Sequence, residues 1–240
     1  MIVIGHRGMR YVEPENTLRA IKRALDSGAD GVEIDVRTTK DGALVAMHDE
    51  TVDRTTNGRG RLRDLTLEYV RSLDAGKGER VPTLGEVVEF VKGRGILFVE
   101  LKEPDIVEGV VEVLERTGGE RFAVLVSFYH RALLEAKELS DKIATGVIFS
   151  CDPVSPHALA LEARAELLIP KAAYATRRLV ERAHEHGLGV AVWVVNTPAE
   201  LERFRRMGVD AVVTDRADVI APLVRAERRR RPSLGDLLRR

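Results

Sequence analysis

Glutamine is absent from this 240-residue chain, and asparagine occurs only as Asn16, Asn57 and Asn196. Arginine outnumbers lysine 30 to 8. Few thermolabile amides and many ions suit a hot environment; high genomic GC content enriches arginine as well. A single cysteine, Cys151, excludes an internal disulfide and points to a reducing, cytoplasmic setting. Neither sign of charge is in excess: 38 basic side chains balance 38 acidic ones, which argues against a dedicated nucleic-acid binder. No apolar run is long enough for stable membrane insertion. Met1–Gly5 leads straight to His6 with no basic segment before it, so no signal peptide is expected. Repeats of solenoid length and a glycine-rich nucleotide loop are also missing. What is present is enough apolar side chain, 44%, for a sizeable core.

Short β-rich runs alternate with longer helical patterns. The runs are Ile2–Ile4, Gly31–Val36, Leu44–Met47, Ile96–Val99, Ala123–Val126, Thr145–Phe149, Glu166–Ile169, Gly189–Val195 and Ala211–Val213. Between them, sets such as Leu18, Ile21 and Leu25, or Val107, Val110, Val111 and Leu114, share one helical face. Thr83 with Glu86 reads as a capping box, and Gly187 and Gly208 stand where helices stop. Alternation of this kind means βαβ units around a parallel sheet. Nine strands are one too many for a (β/α)8 barrel. Only Thr38–Ala43 precedes Leu44–Met47, too short for a crossover helix, and Asp41-Gly42 is a tight-turn signal. Val36–Met47 is therefore expected to be an antiparallel hairpin rising from strand two. A two-residue turn would set Asp35 opposite His48, and a looser turn would slip that pairing. The expected architecture is an α/β, TIM-like (β/α)8 barrel over residues 1–224. A short polar insertion at about 50–82 lies over its mouth. Residues 225–240 form a basic tail of local charge +5. Such a tail reads either as a solvated end or as an attraction to anionic membrane surfaces.

The barrel's C-terminal face collects chemistry. His6, Arg7 and Gly8 follow strand one. Glu33 and Asp35 are two apart on strand two and so share a face. Two carboxylates pointing into a barrel form either a salt-bridge network with Arg7 or a site for a hard divalent ion. Glu100 and Lys102 share a face at the end of strand three. Glu100 would complete a three-carboxylate site, and Lys102 would bind an anion beside it. Phe128 and Trp193 either pack or wall a substrate's alcohol part. Lys171 is a further candidate anion contact. Asp215 is expected to orient Arg7 or to cap the following helix. His130, His157, His184 and His186 fall on loops or helices and receive no catalytic role. Two histidines, three carboxylates, an arginine and a lysine make a phosphoryl-transfer set: cations neutralise a phosphodiester while His6 and His48 move protons.

These residues resemble a known family. His6-Arg7-Gly8, Glu15-Asn16-Thr17, Val32–Val36, Thr39-Lys40-Asp41-Gly42, His48-Asp49, Asp53–Gly58, Val81–Leu84, Glu100-Leu101-Lys102, Trp193–Asn196 and Gly208–Asp215 are similar to segments of the glycerophosphodiester phosphodiesterases, in order from about Ile2 to Ile220. The resemblance implies hydrolysis of a small-molecule glycerophosphodiester to sn-glycerol 3-phosphate and an alcohol. His6 and His48 would be the acid–base pair. Glu33, Asp35 and Glu100 would bind Mg²⁺, Ca²⁺ or Mn²⁺, and Arg7 and Lys102 would hold phosphate. Phe128 and Trp193 would line the pocket, while Glu15-Asn16-Thr17 would shape the loop beneath. By analogy with related phospholipases, the glycerol 2-hydroxyl would attack phosphorus with His6 as base and His48 as leaving-group acid; direct attack by water is the competing route. The short insertion implies an open mouth. The alternatives are a lysophospholipase D acting on an acylated substrate, or a catalytically silent binding protein.

Overall fold

The structure, a computed structural model, describes residues 1–226 and 232–238. Its strands are β1 (Ile2–Gly5), β2 (Gly31–Thr38), β3 (Leu44–Ala46), β4 (Ile96–Leu101), β5 (Ala123–Ser127), β6 (Ala144–Phe149), β7 (Leu167–Pro170), β8 (Gly189–Trp193) and β9 (Ala211–Thr214). Helices α1 (Leu18–Asp26), α2 (Leu67–Ser72), α3 (Leu84–Val91), α4 (Val107–Thr117) and α5 (His130–Leu139) accompany the first half. The second half carries α6 (Pro156–Glu162), α7 (Arg177–Glu185), α8 (Pro198–Met207), α9 (Ala217–Arg225) and α10 (Leu234–Leu238). Every parallel strand neighbours the next, and β1 pairs with both β9 and β2, so eight strands close into a TIM barrel. β3 stays outside the ring, antiparallel to the upper end of β2.

The period of two predicted for these strands sorts side chains into a vertical order. Ile2, Ile4 and His6 follow one another on the inner face of β1, and Ile96, Phe98, Glu100 and Lys102 on that of β4. Ala211, Val213 and Asp215 do the same along β9. The lower members form one apolar cluster inside the barrel with Val124, Val126, Ile148, Leu167 and Ile169. The upper members are polar. A larger apolar layer lies between barrel and helices, built from residues such as Val32, Ile34, Val99 and Leu125. Thr83 and Glu86 do form a reciprocal capping box on α3, and Gly208 ends α8 in the left-handed region.

The hairpin corrects the predicted register. Thr38 faces Leu44, and Thr39 is hydrogen-bonded to Ala43, so the turn holds three residues, Lys40-Asp41-Gly42. Gly42 takes φ +79° there. The extra residue brings Met47, not His48, opposite Asp35: the Met47 amide donates to the Asp35 carbonyl at 3.0 Å. Asp41 is diverted to cap α2, accepting from the Leu67 amide at 2.9 Å. The polar insertion carries a small core of its own, in which Val52, Leu62, Val70 and Leu73 pack on Val45 and Met47 of the hairpin.

Six of the tail's seven arginines lie outside the described residues, and so does the expectation of attraction to anionic membranes. The described part, α10, packs rather than dangles. Leu237 is fully buried in the apolar cluster at the foot of the barrel, with Leu234 and Leu238 against it. Leu237→Ala is expected to cost about 2 kcal/mol, the lower end for buried leucines, because a terminal helix can let go. Chemical denaturation checks this, and an unchanged midpoint would mean the helix is undocked in solution. Among the described residues, no helix is long and apolar enough to cross a membrane.

Candidate active site

The upper, polar layer of the barrel lines a cavity of about 130 Å³. His6, Arg7, Glu33, His48, Glu100 and Lys102 surround it, with Phe128 and Trp193 on the opposite side. Its floor is apolar and includes Phe98, Val126 and Ile169. Asp35, level with Glu100 on the neighbouring strand, completes the polar group and is fully buried.

The chain reaches this layer through an unusual bend after β1. Arg7 and Gly8 are consecutive left-handed residues, with φ +50° and +80°. A side chain at position 8 would stand 2.5 Å from the backbone of Ala20, so only glycine fits. The bend turns the Arg7 amide onto Glu33 Oε2 at 2.9 Å. Asn16, also left-handed at φ +59°, donates from Nδ2 to Asp35 Oδ2 at 2.9 Å and accepts the Asp35 amide at Oδ1. Thr17 then caps α1.

Glu33, Asp35 and Glu100 offer oxygens that all lie within 4.8 Å of one another. Burial pushes the Glu33 carboxyl well above the ordinary range, and the Asp35 and Glu100 charges push it further. Glu100 rises to about 7, again through burial first and Asp35 second. Burial acts on Asp35 in the same sense, but the Arg7 and Lys102 charges outweigh it and hold Asp35 below its ordinary value. Lys102 Nζ donates to Glu100 Oε1 at 2.7 Å and lies 3.6 Å from Asp35 Oδ1. Arg7 Nε is 3.1 Å from Asp35 Oδ2 without hydrogen-bond alignment, and its Nη1 donates to Glu15 Oε1 at 2.9 Å.

Five buried side-chain polar atoms lack a hydrogen-bond partner among the described residues, and three belong to this site: Arg7 Nε, Glu33 Oε1 and Asp35 Oδ1. Buried polar atoms are rarely left so. Carboxylate oxygens without a hydrogen bond have capacity for a cation, and a guanidinium N–H without one has capacity for an anion, even beside the ion pairs already made. A hard divalent ion fits the oxygen-only donor set of the three carboxylates. The salt-bridge network with Arg7 and a carboxylate triad able to hold a cation therefore coexist.

Each histidine has a carboxylate behind it. His6 Nδ1 donates to Asp215 Oδ1 at 2.7 Å. Burial would raise Asp215, but the His6 bond, Asn196 Nδ2 and Arg10 hold it down to about 2, so it stays an acceptor. Asp215 thus orients His6; it neither orients Arg7 nor caps α9, the two roles expected from sequence. The two-residue step Ala211–Val213–Asp215, in phase with Ile2–Ile4–His6 on the neighbouring strand, was the signal that could have found it. His48 Nδ1 meets Asp49 Oδ1 at 2.6 Å, and the His48 carbonyl accepts from Arg37 Nε. Burial lowers the His48 pKa against the opposing pull of Asp35 and Asp49.

The remaining candidates separate. Phe128 and Trp193 meet edge to face, with ring centroids 5.9 Å apart. Lys171 is exposed above the Trp193 ring and does not line the cavity. His130 binds the Ile148 carbonyl, His184 binds Asp210, and His157 stacks on His186, all away from the site.

A closed parallel barrel whose mouth joins two histidines to a carboxylate triad and two cations defines a TIM-barrel enzyme fitted to phosphate esters. Residues 6–219 match the glycerophosphoryl diester phosphodiesterase family. A glycerophosphodiester phosphodiesterase of Caldanaerobacter subterraneus subsp. tengcongensis is 39% identical over 237 residues, covering 93% of this chain and 98% of that protein. One from Bacillus altitudinis is 33% identical, covering 90% and 95%. The structure of an Oleispira antarctica phosphodiesterase in complex with the product sn-glycerol-3-phosphate superposes with a TM-score of 0.86 at 28% identity, covering 94% of this chain and 97% of that one. The chain belongs to the glycerophosphoryl diester phosphodiesterase family and is a phosphodiesterase.

Proposed function

We propose that the protein hydrolyses glycerophosphodiesters to sn-glycerol 3-phosphate and an alcohol, using a divalent metal ion and two histidines. The observation that carries this reading is the trio of buried atoms without a hydrogen bond, two acceptors and one donor, at a cavity faced by His6 and His48. Glu33, Asp35 and Glu100 would hold the ion. Bound there, it would supply positive charge to the phosphate and acidify the attacking hydroxyl. Arg7 and Lys102 bind the phosphate oxygens. Asp215 keeps the proton of His6 on Nδ1, so Nε2 is free to accept the proton of the glycerol 2-hydroxyl. As that oxygen bonds to phosphorus, the phosphorus–alcohol bond breaks, and His48 gives the departing oxygen its proton. Water then opens the cyclic phosphate with the two histidines in exchanged roles. Phe128 and Trp193 wall the organic part. The lone exposed thiol, Cys151, fits a reducing intracellular setting.

Incubation with glycerophosphocholine or glycerophosphoethanolamine, with Mg²⁺, Mn²⁺ or Ca²⁺ and with chelator, tests the reading. Glycerol 3-phosphate is expected only in the presence of metal. Full activity after exhaustive chelation would remove the metal from the mechanism.

A second reading, hydrolysis of lysophospholipids, draws on one feature. Tyr11, Val12, Phe128, Tyr129 and Val154 are exposed, and all lie on loops that follow strand C-termini. Such side chains could receive an acyl chain at the mouth. Choline release from lysophosphatidylcholine faster than from glycerophosphocholine would favour it.

A further inference from the structure

The loop that carries His48 is held by backbone bonds on either side, from the Met47 amide to Asp35 and from the Leu62 amide to Glu50, but none of them reaches the imidazole ring. β3 is three residues long, and His48 lies two residues beyond its end. What holds the ring is a run of charges. Asp49, bonded to His48 Nδ1, accepts from Arg54 twice: Nε to Oδ2 at 2.6 Å and Nη2 to Oδ1 at 3.0 Å. The other edge of the same guanidinium makes a second pair to Glu15, with Nη1 to Oε2 at 3.0 Å and Nη2 to Oε1 at 2.7 Å. Glu15 Oε1 also accepts from Arg7. Arg7–Glu15–Arg54–Asp49–His48 is thus a continuous chain joining the loop after β1 to the loop after β3 along one side of the mouth.

We propose that Arg54 is a positioning residue for the reaction. By forking onto Asp49 and Glu15 it keeps the His48 Nδ1–H on Asp49, so that Nε2 is the nitrogen that faces the cavity and carries the proton the ring gives up. The inference rests on the reading of His48 as an acid–base group. The Asp49 carboxyl lies well below its ordinary range, chiefly through the Arg54 bonds, so it can only accept from the ring. The Arg54 side chain is 48% exposed, and exposed ion pairs contribute little to stability. Its role is therefore geometric. Lysine is no substitute, since one ammonium cannot present two planar forks.

Arg54→Ala and Arg54→Lys test this with glycerophosphocholine and Mg²⁺. Both are expected to lose about 10- to 100-fold in kcat, as losses of partners behind an active ligand do. KM should stay within about threefold, since ground-state binding is untouched. Added guanidinium should restore part of kcat in Arg54→Ala and none in His48→Ala. Independently of any activity, ¹⁵N spectra of labelled histidine, taken at alkaline pH where the ring is neutral, should show His48 as a single Nδ1–H tautomer in the parent and as a mixture in Arg54→Ala. This readout decides the positioning role even if the parent does not cleave glycerophosphodiesters. Should Arg54→Ala fail to fold, Arg54→Lys carries both measurements. A kcat within about twofold of the parent in the folded variants, or an unchanged His48 tautomer, would overturn the proposal.

Discussion

Replacing His6 with alanine is expected to lower kcat by about 100- to 10,000-fold, the range that one positioned proton-transfer group supplies. The ring stands at the meeting of two features. Asp215 fixes its proton on Nδ1, and its Nε2 lies 3.9 Å from Glu33 Oε2, beside the candidate metal site. No other histidine can take its place, because the remaining four outside the His6–His48 pair are engaged elsewhere on loops and helices. The fold should survive. Asp215 keeps Asn196 Nδ2 and Arg10 Nε as partners, and its amide still donates to Asn196 Oδ1. Unfolding midpoints near the parent's, with KM little changed, would show that chemistry alone was lost. Adding His48→Ala to His6→Ala should cost far less than the product of the single losses, because groups that act as a unit are non-additive. Near-parental kcat in His6→Ala would remove His6 from proton transfer.

The second large effect runs in opposite directions for function and stability. Glu33→Gln is expected to abolish metal-dependent turnover and, in metal-free protein, to raise the melting temperature. Glu33 is buried, and its folded pKa is pushed well above the ordinary 4.5. An acid with a higher pKa in the folded than in the unfolded state favours folding least when ionised. Its contribution falls as pH rises from the unfolded value and is at its worst above the folded one. Glutamine carries no such charge and can still accept the Arg7 amide. The advantage of the variant should therefore be absent below pH 4.5 and grow as pH rises. Each kcal/mol recovered corresponds to about 2–4 °C at this chain length. Adding Mg²⁺ should stabilise the parent by mass action and leave the variant unmoved. Thermal melts with and without metal read both effects. A variant that melts no higher than the metal-free parent at about pH 8, or that keeps the full metal shift, would sink the three-carboxylate site.

The two effects share an origin. The site gathers three carboxylates where burial penalises them, and a protein selected for stability alone would not do so. Strain at Arg7 and Asn16 belongs to the same pattern: left-handed backbone is costly for residues other than glycine, and here it aims an amide at Glu33 and an amide side chain at Asp35.

The sequence by itself determined the nine strands, the place of the odd one and the set of side chains at the barrel mouth. Each of these rests on local chemistry. Strand periodicity of two is readable over a few residues, and it carries Ile2–Ile4 forward to His6 and Ile96–Phe98 forward to Glu100 and Lys102. A six-residue gap cannot hold a crossover helix, so Leu44–Ala46 had to turn back. Which charge serves which partner was decided only by the tertiary structure. One added residue in the turn moved Met47 into the place opposite Asp35. Closure of β9 onto β1 gave Asp215 to His6. The insertion's fold laid Arg54 between Asp49 and Glu15, and the foot of the barrel buried Leu237 of a tail whose charge suggested solvent. These pairings join residues far apart in sequence, and the closure of the ring and the path of its loops set their distances. No local pattern encodes a distance across a barrel mouth, because it is the sum of every strand's tilt and register around the ring.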